Sequence, residues 1–123
     1  MVANSTTVSG PLLFLSTGLP LTAKGQLVKR VHSELPFTSD AIRAQTEQIL
    51  INAGAICQAA GGDIIDLVRS HVLFSDLRDF PLATQSWKSV FGDQPPAATF
   101  VEVPPVGLVP GARITMDLWG YIP

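Results

Sequence analysis

The chain has 123 residues, 46% hydrophobic and 15% charged, which is the size and make-up of one folded domain rather than a disordered segment. Its formal net charge is −2, and of eight scattered Lys and Arg residues only Lys29 and Arg30 are adjacent. That distribution argues against nucleic-acid binding, which needs a basic stripe to release counterions. One cysteine, Cys57, rules out an internal disulfide, and with only two histidines no zinc-ligand set stands out.

Taken in chain order, residues 1–10 are rich in Ser, Thr and Gly and read as irregular. They carry no basic segment, and Leu12–Leu15 is too short for a signal core or a membrane span. A soluble, cytoplasmic protein is expected. Pro11–Ser16 reads as a buried strand closed by Gly18 and Pro20, and Gln26–Val31 as a second, more exposed strand. Ser39 or Asp40 can cap a helix running to about Ala60, with Ile42, Ile49, Ala53, Ile56 and Ala60 on one face. Gly61 and Gly62 stop it.

Leu67 to Ser75 alternates as a strand, with Val68, Ser70, Val72 and Phe74 facing one way and Leu67, Arg69, His71 and Leu73 the other. Asp79 then reads as the cap of a second helix, with Pro81 in its first turn and Phe80, Ala83, Trp87, Val90 and Phe91 on its apolar face. Gly92 ends it. Thr99–Val103 and Arg113–Tyr121 read as two closing strands joined by a Pro/Gly-rich loop. The order β-β-α-β-α-β-β implies parallel crossovers, with both helices on one face of one mixed sheet. The other sheet face then needs a cover, for which a second subunit is the natural source.

Six segments, in order, resemble the Rid family (YjgF-type, enamine/imine deaminase-like). These are Ser16–Pro20, Gln45–Leu50, Ala59–Asp63, Val72–Phe80, Pro96–Val103 and Arg113–Asp117. The resemblance spans roughly residues 10–121 of what is read as a single domain, 1–123. It implies an α+β, chorismate-mutase-like fold and a homotrimer with small-molecule clefts between subunits. No cofactor or metal, and no nucleic-acid or membrane partner, is implied.

The family's deaminases hydrolyse enamines or imines to a carbonyl compound and ammonia. The arginine of a Pro-Ala-Arg motif grips the substrate carboxylate, since a guanidinium fork makes two charge-assisted bonds to it. That position is Ala98 here. Asp117 stands at the family's water-positioning acidic position, where Glu is usual, and is the expected catalytic residue. Ser16, Thr17, Gly18, Thr84, Ala98, Thr99, Phe100 and Arg113 are the expected substrate contacts. Thr84 and Phe100 stand where the family often has asparagine and cysteine, so a more apolar pocket for a larger or less charged ligand is expected.

Arg113, Arg69 and His71 are candidates for a displaced cation, each weighed against an ordinary ion pair. His32 and His71 could titrate near neutrality, Cys57 is expected to be a buried inert thiol, and Trp87 to belong to the core. Two functions compete. One is a hydrolytic deaminase for an enamine, imine or related C–N compound with non-standard specificity. The other is a catalytically inactive, trimeric small-metabolite-binding protein.

Overall fold

The computed structural model describes residues 5–9, 12–26, 39–104 and 111–122. Backbone pairing at the N-terminal end, alternating side chains in the later strands and two helical apolar stripes produce β1 (Ser5–Ser9), β2 (Leu12–Gly18), α1 (Ser39–Ala59), β3 (Leu67–Phe74), α2 (Phe80–Phe91), β4 (Ala97–Glu102) and β5 (Ile114–Tyr121). Among the described residues one five-stranded mixed sheet runs β1-β2-β5-β3-β4. The β3–α2–β4 unit is a parallel crossover, as expected. The β2–α1–β3 crossover is not between neighbours, because β5 inserts between them, antiparallel to both.

One expectation fails at the N-terminal end. Residues 1–10 were expected to be irregular, yet Ser5–Ser9 forms β1, paired antiparallel with β2 from Ser5↔Ser16 to Ser9↔Leu12. Backbone ladder bonds to β2 hold this edge strand, so a Ser/Thr-rich composition does not preclude it. The second strand expected at Gln26–Val31 lies outside the described residues except for Gln26, which is not in a strand. His32 and residues 105–110 of the Pro/Gly-rich loop also lie outside them.

The core sits between the sheet and the two helices. Leu13 and Leu15 of β2, Val72 and Phe74 of β3, and Ile114, Met116 and Leu118 of β5 meet Ile42, Ile49 and Ala53 of α1 and Trp87 and Phe91 of α2. Each fully buried side chain of this size contributes about 1.5–3 kcal/mol. Helix α1 stops as expected. Gly61 takes a φ of 92°, and the Gly62 N–H donates to the Cys57 carbonyl at 2.9 Å.

Strand β3 departs from simple alternation at its start. Leu67 pairs with Gly120 but Arg69 with Trp119, so one residue, Val68, is extra. Leu67 is buried at 2% exposure and Val68 is 54% exposed, the reverse of the expectation for these two positions. A bulge of this kind changes the phase of alternation, which a period-two pattern cannot reveal.

The sheet face away from the helices carries Leu12, Phe14, Trp119, Tyr121, Arg69, His71, Asp117, Thr99 and Val101 by register. Phe14 is 37% exposed and Tyr121 51%. No helix among the described residues is long and apolar enough to cross a membrane.

Candidate functional site

Among the described residues strand β4 lies at one edge of the sheet, and its successive residues point to opposite sides. Ala98 and Phe100 pair with the core-facing Ser70 and Val72, so they face α2. Thr99 pairs with His71 and faces the open side. Helical spacing places Thr84, Trp87 and Lys88 on one side of α2, toward β4. Together Thr84, Trp87, Lys88, Ala98 and Phe100, with Gly92, Asp93, Pro95 and Pro96 of the turn after α2, line an open groove of about 570 Å³. Its floor is aromatic: the Phe100 ring lies edge-to-face with Phe80 at 4.7 Å and with Trp87 at 6.2 Å. The Thr84 hydroxyl donates to the carbonyl oxygen of Phe80 in its own helix, so its oxygen lone pairs remain to accept from a ligand.

The remaining expected site residues are elsewhere. Asp117 lies on β5, half-buried on the open face and opposite His71 in the ladder. Two strand spacings separate β5 from β4, roughly 10 Å, and the sheet itself stands between Asp117 and the groove. Ser16, Thr17 and Gly18 end β2, where pairing with β5 shifts register between Leu15 and Gly18. They stand three strand spacings, roughly 14 Å, from β4. One chain therefore brings Thr84, Ala98 and Phe100 together, but neither Asp117, Thr99 nor Ser16–Gly18 joins them.

Arg113 is not a groove residue. It is 5% exposed, and its guanidinium donates to Asp79 through Nε to Oδ2 at 2.7 Å and Nη2 to Oδ1 at 2.9 Å. Its backbone N–H donates to Gln45 Oε1 at 2.7 Å, and Gln45 Nε2 donates to the Gly111 carbonyl at 3.0 Å. The expectation of Arg113 as a substrate contact thus meets a fully engaged interior ion pair. Asp79, the expected cap of α2, makes no side-chain cap bond, because its carboxylate faces Arg113. Burial pushes the Asp79 carboxyl up, with the Arg113 guanidinium pulling against it. Capping of the preceding turn falls to Asp76, whose Oδ1 accepts from the Arg78 N–H at 2.9 Å. The Arg78 guanidinium beside Asp76 holds that carboxyl below the usual carboxylate range.

The other two cation candidates lie on the open face and engage each other. Arg69 Nη2 is 3.1 Å from His71 Nε2, the His71 ring meets the Trp119 ring edge-on at 5.0 Å, and Arg69 lies 5.8 Å from the Trp119 ring centre. Cys57 is fully buried, with its thiol pushed up to about 11 by desolvation and then by Asp66 and Asp63, which fits an inert side chain. Among the described residues no group of three His, Cys, Asp or Glu side chains could hold a metal ion.

Sequence reasoning did not single out Lys88. Its signal was its position four residues after Thr84, one helical turn along the same face.

A mixed sheet with both helices on one face and a groove between α2 and an edge strand defines an α+β protein of the YjgF/L-PSP fold. Residues 4–120 match the family model described as Endoribonuclease L-PSP, and the chain belongs to that family, the Rid/YjgF family. A RutC family protein of Pyrococcus horikoshii is 32% identical over 96 residues, 77% of this chain and 68% of its own length. The human 2-iminobutanoate/2-iminopropanoate deaminase is 32% identical over 81 residues, 66% of this chain and 58% of its own. The crystal structure of RidA from the Antarctic bacterium Psychrobacter superposes with a TM-score of 0.80 at 26% identity, covering 95% of this chain and 85% of that one.

Proposed function

We propose that this chain is a hydrolytic deaminase of the Rid type, acting on an enamine, imine or related C–N small molecule with non-standard specificity. The observation that carries this reading is the convergence of Thr84, Ala98 and Phe100 on one groove. These are three of the positions at which the family resemblance puts substrate contacts. In the reaction, water adds across the C=N bond, its oxygen to carbon and a proton to nitrogen. The carbinolamine then loses ammonia as the C–N bond breaks and the carbonyl forms. Asp117 is assigned to hold the attacking water and take up its proton.

Within one chain the groove and Asp117 are too far apart to act on one small molecule. We therefore assign the site to a homotrimer, in which the groove of one copy meets the Asp117-bearing face of the next. The apolar surface of that face, Phe14 and Tyr121 included, supports this assembly. Ser16–Gly18 and Thr99 would join the cleft by the same route, with the protein acting in the cytoplasm.

One observation favours a second reading, a trimer that binds a small metabolite without turnover. The groove has Ala98 at the arginine position, and Arg113 is spent on Asp79.

Ammonia release decides between them. The protein and its Asp117→Ala variant are assayed on 2-iminopropionate and on a panel of bulkier and uncharged imines. Release that falls at least a hundredfold in the variant is the expected result. No release from any member overturns the deaminase reading in favour of the binding one.

A further inference from the structure

We infer that Lys88 is the carboxylate-binding residue of the groove, supplying from α2 the positive charge that position 98 of β4 lacks. This rests on the groove being the ligand site, and it deepens that reading by naming what holds the ligand's anionic end.

Three observations converge on Lys88. It lines the same groove as Ala98 and Phe100, one helical turn beyond Thr84. Its side chain is also uncommitted. Each arginine among the described residues has a side-chain partner: Arg43 with Gln85, Arg69 with His71, Arg78 with Asp76 and Arg113 with Asp79. Lys88 has no such partner among the described residues. It sits, moreover, in the last turn of α2, whose carbonyl ends favour a cation.

The chemistry of the exchange is specific. An arginine on β4 would present a flat fork from the groove floor. A lysine offers a compact charge on a flexible stem, entering from the wall and leaving the floor at Ala98 free for apolar bulk. Asp93 lies in the same groove without pairing with Lys88. The groove thus presents one cation, one anion and an aromatic floor between turn and helix. That pattern suits a small molecule with a carboxylate at one end and a protonated C=N nitrogen at the other.

The test uses pyruvate as the probe, against its uncharged amide, pyruvamide, titrated into the intact protein by calorimetry. Wild type is expected to prefer pyruvate. Lys88→Ala should lose roughly ten- to hundredfold in pyruvate affinity, the range of a charge-assisted hydrogen bond, and leave pyruvamide unchanged. Lys88→Arg should retain the preference, and Lys24→Ala, which removes a cation outside the groove, should bind as wild type. The proposal is overturned if wild type shows no preference, or if Lys88→Ala binds pyruvate as tightly as wild type. Because pyruvate needs no turnover, this outcome is independent of the ammonia assay. A protein that grips pyruvate through Lys88 yet releases no ammonia keeps the grip and loses the deaminase reading.

Discussion

The two faces of the sheet are built from the same strands and differ in what they meet. On the helix side Phe74, Ile114 and Ile42 have no exposed surface, and the buried apolar residues of β2, β3 and β5 form one cluster with those of the helices. On the open side Leu12, Phe14 and Tyr121 remain 37–51% exposed, and the polar residues Arg69 and His71 contact each other and Trp119. One face is specified within the chain. The other exposes aromatic residues around a small polar cluster. Residues of like hydrophobicity therefore carry different duties according to their parity along the strand.

Substitution separates those duties. Phe74→Ala, on the covered face, should cost about 3–5 kcal/mol by leaving a cavity, measured as a lower midpoint in urea. Removing one member of the interior ion pair, by Arg113→Ala or Asp79→Ala, should cost a similar 3–5 kcal/mol or so, because the other charge is left buried. The double replacement Arg113→Met with Asp79→Leu should be milder than either, and a double mutant as unstable as the singles would show that the pair is not acting as a unit. Phe14→Ser, on the open face, should change unfolding by less than about 1 kcal/mol at concentrations where the chain is monomeric. The same change should lower the mass seen by sedimentation, and an unaltered mass would sever this face from assembly.

The smallest effect concerns Cys57. Its thiol is held protonated up to about 11, so the folded state retains a proton that the unfolded chain gives up sooner. Stability should therefore fall as pH rises from the ordinary thiol range toward 11. Cys57→Ala should show a shallower decline over that window, and an identical slope in both proteins would remove the thiol as its source.

Much of the fold was legible because it rests on local periodicity. Helix α2 was visible from Ala83, Trp87 and Phe91 at helical spacing and from Gly92, which closes it. Strand β5 was visible from alternation of Ile114, Met116 and Leu118. Strand β1 was not, because Ser5–Ser9 has no apolar alternation and its pairing is carried by backbone groups. The Arg113–Asp79 pair spans 34 residues, and nothing local distinguishes an aspartate that caps a helix from one that turns inward to an arginine. The same limit applied to the site. Thr84 stands where the family often has asparagine, whereas Lys88 gains meaning only once α2 is laid against β4.

The bulge at the start of β3 bears on how this protein tolerates changes of length. In a regular strand, losing one residue exchanges inside for outside for every residue on one side of the deletion. Val68 is the exception: it is the residue without a counterpart in β5, and Leu67 and Arg69 already oppose consecutive partners, Gly120 and Trp119. Its removal would join those two directly, with Leu67 still inward and Arg69 still outward. An ancestor or descendant one residue shorter at this point would keep its core, its open face and its groove, so β3 carries a built-in allowance for the loss of a residue at Val68.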